Sequence, residues 1–320
     1  MTTHDNGRMT DAIPPSLEGA ARLTHLGAIR AHGADAASFL HSQLTADFIQ
    51  LDAAQARLAG YCSAKGRLLA SFIAWKAQAD ELLLACSADV LPATLKRLSM
   101  FVLRSKCKLS DASGELALYG LAGDAATRWL GGAAPSQPWQ QRSSGPAHVV
   151  RLPDAQGLAR YLWAAPLDEP APALPSLSLA SWLWLDVHSG VPLIVGATAE
   201  QFVPQMVNLE LVGGVDFQKG CYPGQEVVAR SQYRGTLKRR SFLFDSDAPA
   251  QPGQEVFASD DPAQPAGMVV NAASLVGHGH AALVELKLAA LDGPTLHLGA
   301  PDGPRLQRGT LPYTVPADAG

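Results

Sequence analysis

Lys219, Gly220 and Cys221 stand side by side in the stretch VDFQKGCYPGQEVVARSQYRGTLKRR, residues 215–240. Pro223 and Gly224 ahead of QEVVARSQY predict a helix starting at about residue 223, with proline near its first position. Cys221 then lies just outside a helix N-terminus, with Lys219 beside it. The positive end of the helix dipole and a nearby ammonium both favour thiolate over thiol. The spacing points to a reactive or metal-ligating thiolate on an electropositive loop. Gly220 and Gly224 supply close backbone approach or positive φ. An inert, partly buried cysteine in a tight turn fits the same residues, and elementary physics leaves both readings open.

The same stretch concentrates charge. Between Phe217 and Arg240 it carries Lys219, Arg230, Arg234, Lys238, Arg239 and Arg240 against the single acid Glu226, a local net charge of +5. Such a run is usually a solvated face. Interleaved Tyr222 and Tyr233 favour anion binding instead, with phosphate, RNA or a polyglutamate tail as candidates. The whole chain has 25 basic and 29 acidic residues and a formal charge of −4, which excludes a global nucleic-acid coat. Trp182 and Trp184 sit two apart on an apolar helical segment, so they cannot share a helix face. One of them is available to line a pocket and stack on a flat heterocycle. His41, His148, His188, His278 and His280 show no metal-ligand spacing, and no metal is expected. LVGGVD does not lead a strand into a helix through G-x-G-x-x-G, so it carries no dinucleotide signal.

These residues need elements to hold them. With 47% hydrophobic and 17% charged residues over 320 positions, the chain can bury a sizeable core, and disorder is excluded as its main state. Cys62, Cys86, Cys107 and Cys221 form no C-x-x-C pair, and no disulfide framework is expected. The N-terminal stretch has no apolar signal region and no run approaches a membrane span, so a soluble, cytoplasmic, monomeric protein is expected. A strand from Leu26 to Ala31 leads to a helix capped by Asp35, with Ala36, Leu40 and Leu44 on one face. LAGYCSAKGRLLASFIAW reads as two strands joined by a Ser63-Ala64-Lys65-Gly66 turn, and ELLLACS as a third. A helix from about Asp89 and a strand at SKCKLSD follow, then a small helix at DAATRWL. APLDEPAPALPSLS reads as a linker, and LASWLWLDVHSGVP as a helix closed by Gly190. After about residue 240 short strands between Pro, Gly and Asp turns predict a small antiparallel barrel or sandwich. The fold class is α+β with an all-β C-terminal module.

FQKGCYPGQEVVAR resembles the signature of the YgfZ family of folate-binding proteins, relatives of the glycine-cleavage aminomethyltransferase. GADAASFLHSQLTAD, YCSAKGRLLASF, VLRSKCKLSD, FVPQMVNLELVGGVDFQKGCYPGQE and the terminal LPY resemble that family in the right order, over nearly the whole chain. The resemblance implies three modules in a cloverleaf around a central folate pocket, the first two discontinuous: residues 12–50 with 112–190, residues 51–111 with 191–238, and a barrel at 239–318. It implies tetrahydrofolate or a derivative as cofactor. It also implies partnership with iron–sulfur enzymes or cluster-assembly proteins, in the synthesis or repair of clusters, including that of a tRNA-methylthiolating enzyme.

Cys221 matches the family's functional cysteine, within a motif loop of Lys219, Gly220, Tyr222, Gly224, Gln225 and Glu226. Trp182 matches an aromatic implicated in folate contact, and a second such aromatic falls at Leu26. The aminomethyltransferase carries an acidic pair where this chain has Ala70 and Ser71, which cannot serve as general acid or base. Ordinary aminomethyl transfer is therefore not expected. A direct tRNA-binding module using the 219–240 patch is the alternative from a different class, and the net charge argues against it; residual folate-dependent one-carbon transfer is the remaining alternative.

Overall fold

Three antiparallel sheets organise the computed structural model, which describes residues 17–233 and 237–316. The first has the order β1 (Gly19–Arg22), β7 (Leu116–Ala122), β10 (Leu158–Pro166), β9 (Ala147–Ala155) and β8 (Gln141–Ser144). Helix α3 (Gly123–Leu130) packs Ala126 and Leu130 against Leu121, Val149 and Tyr161 on one face of it. The second sheet has the order β3 (Ala56–Cys62), β4 (Leu68–Gln78), β5 (Glu81–Ser87), β2 (Leu26–His32) and β6 (Lys108–Asp111). The third closes into a barrel, β11 (Arg239–Ser246), β14 (Gly279–Lys287), β13 (Asp261–Leu275), β12 (Glu255–Ala258), β15 (Leu296–Leu298) and β16 (Arg305–Arg308). The α+β class with an all-β C-terminal barrel is as the sequence predicts.

The second sheet explains the apolar crowding of LLASFIAW and ELLLACS, because it is buried on both faces and loses the usual in–out alternation. One face packs Ile29, Phe72, Leu82 and Leu84 against Leu40 of α1 (Ala36–Gln43) and Leu91 and Leu98 of α2 (Leu91–Ser99). The other packs Ala28, Trp75, Leu83 and Ala85 against Leu118, Val150 and Leu162 of the first sheet. Helix α4 (Leu179–Ser189) packs between the first sheet and the barrel. Ser178 Oγ accepts from Ser181 N–H at 2.9 Å at its start, and Gly190 closes it at φ +67°. Two residues apart, its tryptophans enter different cores: Trp182 joins the inter-sheet cluster, while Trp184 packs against Leu243 and Leu275 of the barrel. No helix among the described residues is long and apolar enough to cross a membrane.

Three local expectations are revised. Residues 26–43 do not join the sheet formed by the 112–190 stretch: β2 pairs with β5 from Leu26↔Ser87 to His32↔Glu81 and with β6, so it lies in the second sheet. Only long-range pairing decides this. Asp35 precedes α1 but does not cap it; its Oδ2 accepts from the Lys106 N–H at 2.7 Å and ties the helix start to the strand β6 approach. Helix α5 (Gln225–Tyr233) begins two residues later than expected, because Gly224 takes φ +79° and forms a turn with Pro223.

Candidate functional site

The Cys221 loop is held from three sides. Fully buried Thr45 donates from Oγ1 to Gly214 O at 2.5 Å, accepts from Gly60 N–H at 2.7 Å, and through its carbonyl accepts from Asp216 N–H at 2.9 Å. This fastens residues 214–216 to β3. Lys219 is only 8% exposed, and its Nζ donates to His41 O at 2.6 Å and to Gly220 O at 3.1 Å. The ammonium also lies 4.6 Å from the ring centroid of buried Tyr222. Beyond it, Gly224 fits against the β3–β4 turn so closely that a Cβ there would meet Ser63 O at 2.4 Å. The KGC loop and the Ser63–Gly66 turn, distant in sequence, therefore form one surface.

Cys221 projects from this frame. It is the exposed one of the four thiols; Cys62 and Cys86 are buried and Cys107 is half-buried. Burial pushes the Cys62 and Cys86 thiols up to about 12 and Cys107 to about 11, so none of these three is a nucleophile near neutrality. Burial likewise raises the Tyr222 phenol, with Cys62 adding to the shift. Gln225 is half-buried and Glu226 is exposed in the first turn of α5.

Burial pulls the Lys219 ammonium down to about 8 from its ordinary 10.5, against the opposing influence of Asp47, Asp216 and Cys221. The unfolded chain keeps that proton up to its ordinary pKa, so between the two values it binds more protons than the folded protein. Stability must rise with pH across that window. Relative to a Lys219→Met variant, wild-type stability in urea is expected to gain about 3 kcal/mol between about pH 7.5 and 10.5. A pH-independent difference would show that the buried amine titrates normally.

The basic patch dissolves on folding. Arg240 is 4% exposed and paired with buried Glu210, its Nη1 also donating to Gln205 O at 3.0 Å. Arg239 makes a two-pronged pair with buried Glu285, through Nε to Oε1 and through Nη2 to Oε2 at 2.9 Å. Lys219 is buried as described. Arg230 and Lys238 remain exposed, and Arg234 lies outside the described residues. A stretch the sequence reading passed over, residues 96–108, has Lys96, Arg97, Arg104, Lys106 and Lys108 without an acid, and all but half-buried Arg97 are exposed.

A second place, where the three modules meet, holds a cavity of about 630 Å³. Its walls come from the first sheet, the second sheet, α4 and the barrel's Asn271 and Ala272. Leu26 and Trp182 both line it, so the structure brings these two predicted residues together; Cys221 does not line it. Trp182 is 1% exposed, its ring pressed on Gly120 of β7, with the Arg160 guanidinium 4.6 Å from the ring centroid.

The polar members of this cavity escaped the sequence reading. Arg160 pairs with Asp186, one turn after Trp182 on α4, while its Nε has no partner. Both ring nitrogens of His25 are buried without a hydrogen bond, and burial lowers its pKa against the influence of Asp186. Asp89 accepts from Ser87 Oγ at 2.6 Å and Gly196 N–H at 2.8 Å. The i, i+4 spacing of Trp182 and Asp186 was the available signal for one of these; the others arrive by tertiary pairing.

Ala70 is fully buried and Ser71 Oγ is occupied, accepting from Ile194 N–H at 2.9 Å. A further cavity of about 520 Å³, lined by Asp47, Arg57, Asp216 and Tyr233, shares Leu58 and Trp139 with the central one. Among the described residues no group of three or more His, Cys, Asp or Glu could hold a metal ion.

Comparison with known proteins follows this geometry. No family model matches the chain. The chain is 34% identical over 242 residues to the tRNA-modifying protein YgfZ of Edwardsiella ictaluri, covering 70% of each. It is 29% identical over 314 residues to the protein of that name from Colwellia psychrerythraea, covering 92% of this chain and 93% of the relative. Among solved structures, the glycine cleavage system aminomethyltransferase T from Bartonella henselae matches with a TM-score of 0.71 at 16% identity, over 91% of this chain and 84% of that one. At that identity the likeness is one of fold.

Proposed function

The chain belongs to the YgfZ family, and on that premise we propose that it is a folate-binding accessory protein with a role in tRNA modification, exercised through the iron–sulfur enzymes that carry it out. The observation that carries the folate part is the central cavity. Its volume of about 630 Å³ falls in the range of small-molecule sites, mostly apolar with a few convergent polar groups. The donor set fits a flat, hydrogen-bonding heterocycle: unpartnered His25 nitrogens, the orphaned Arg160 Nε, and the Asp186 and Asp89 carboxylates. Leu26 and Trp182 supply apolar wall. Tetrahydrofolate bound there would supply one-carbon carriage. The chain's own residues bind and orient it and exclude water.

Cys221, with Lys219, Gly220, Gly224, Gln225 and Glu226 around it, is the working thiol of the proposal. It stands on a different surface from the cavity lining. Ordinary aminomethyl transfer is not proposed, because Ala70 and Ser71 offer no carboxylate. Direct tRNA binding through residues 219–240 is not proposed either, since Arg239, Arg240 and Lys219 are spent inside the fold.

Titration with tetrahydrofolate, followed by tryptophan fluorescence, tests the cavity. A saturable quench is expected, and Trp182→Phe should remove most of it. A His25→Ala variant is expected to weaken binding roughly tenfold, the cost of one lost buried hydrogen-bonding partner. No saturable change in the wild type at millimolar ligand ends the folate reading.

A further inference from the structure

A histidine that the sequence reading set aside stands beside the Cys221 loop. His41 lies in the last turn of α1, and its Nδ1 is 3.0 Å from Asp47 Oδ1. The same Asp47 oxygen accepts from Ile49 N–H at 2.7 Å and Gln50 N–H at 3.1 Å. Burial works to raise the Asp47 pKa, but these backbone donors and His41 outweigh it and hold the carboxylate below its usual range. An ionised carboxylate only accepts, so the ring proton of neutral His41 must sit on Nδ1. Nε2 is then left with its lone pair. That nitrogen faces the loop: a Cβ built on Gly220 would be 3.4 Å from it. The Lys219 ammonium bonds both the His41 and Gly220 carbonyls and staples the helix end to the residue preceding Cys221.

We infer that His41 is the proton acceptor for the Cys221 thiol and that Asp47 is the positioning residue that fixes its tautomer and balances its charge. In this step the S–H bond of Cys221 breaks and an N–H bond forms at His41 Nε2, leaving a thiolate and an imidazolium with Asp47 still ionised. No oxidant or co-reactant enters. The roles are those of nucleophile, base and orienting acid in activated thiols elsewhere in protein chemistry, with His41 set against Gly220, the neighbour of Cys221. The other charged groups on the elements around Cys221 are Lys219 and Asp216 on its own loop, Glu226 and Arg230 on α5, and Lys65 and Arg67 on the β3–β4 connection. Of these, Lys219 also favours the thiolate, so it must be separated from His41 by experiment.

The inference deepens the reading of Cys221 as a working thiol, yet its test is chemical and needs no partner or folate. Native full-length protein is alkylated with iodoacetamide from about pH 5 to 9 and the modified residue quantified by mass spectrometry; Cys62 and Cys86 are protected by burial, and the half-buried Cys107 thiol is pushed up to about 11. At about pH 7 the wild type is expected to react at least tenfold faster than His41→Gln, whose profile should move to that of an ordinary cysteine, with Asp47→Asn between them. A His41→Gln profile that superimposes on the wild type overturns the inference. So does a profile displaced by Lys219→Met and untouched by His41→Gln.

A folding measurement guards against a misfolded variant. Circular dichroism and the urea midpoint of His41→Gln should match the wild type, and alkylation at the wild-type rate in that folded variant overturns the inference. Complementation of tRNA modification by Cys221→Ser, alongside a displaced His41→Gln profile, would sink the functional role of the thiol and leave the proton acceptor standing.

Discussion

Replacing Arg240 by alanine is expected to destabilise the protein by about 3–5 kcal/mol, the usual result of removing one partner of a buried ion pair. The cost arises on the carboxylate left behind. Glu210 is buried, and burial already raises its pKa against the influence of Arg240, so without the guanidinium it must protonate or draw in water. Gln205 O would lose one of its two donors, keeping only the Asn208 N–H. The pair joins the turn at residues 204–210 to the first barrel strand, reinforced by Asn208 Nδ2 donating to Ser241 O at 2.7 Å. Urea unfolding of Arg240→Ala and of the double variant Arg240→Met/Glu210→Leu measures this. The double variant should recover most of the loss, since both charges leave together. A single-variant loss below about 1 kcal/mol would mean that the pair is solvated and the patch is available to a ligand after all. The consequence for function is direct. Charge reversal at Arg240 probes the barrel's attachment, and at Arg239 an ion pair within the barrel, not RNA affinity.

Gly120→Ala is the second large effect expected, and it should strike the cavity and the fold together. A Cβ at Gly120 would fall 2.4 Å from Cδ2 and Cε3 of Trp182, a ring that is fully buried and has no flexible end to swing away. One methyl group must therefore displace the indole. Overpacking of this kind costs about 1–3 kcal/mol, and the indole would carry with it the Arg160 guanidinium stacked on it and the Arg160–Asp186 pair. Tetrahydrofolate affinity is expected to fall at least tenfold while Cys221 alkylation stays at the wild-type rate. Calorimetric titration and thiol labelling on the same preparation check both halves. Unchanged folate affinity in a folded Gly120→Ala protein would remove Trp182 from the binding wall.

The behaviour of Gly120 illustrates how the sequence is read well in one dimension and poorly in another. Helix α4 was legible because its signals are local: apolar spacing and a glycine at the end. The Ser63–Gly66 hairpin and the barrel strands were legible for the same reason. What Trp182 rests on was not legible, because Gly120 is sixty-two positions away and glycine carries no pattern of its own. The membership of β2 was missed likewise. Its seven residues read as a strand, yet nothing in them names Glu81–Ser87 as the partner.

Charge shows the divide most clearly. The sequence by itself determined that residues 217–240 hold six cations and one acid, that Cys221 lies among them, and that α+β modules precede a barrel. These are properties of composition and short spacing, which survive any arrangement of the chain. Only the tertiary structure decided which charges reach solvent. Glu210 and Glu285, one before the basic run and one far after it, neutralise Arg240 and Arg239. Asp47 and His41, 174 and 180 positions before Cys221, come to stand at its loop. Coulomb's law acts through distance in space, and folding resets those distances. A run of positive charge in the sequence became one buried and one half-buried ion pair, a stapling lysine, and the exposed Arg230 and Lys238.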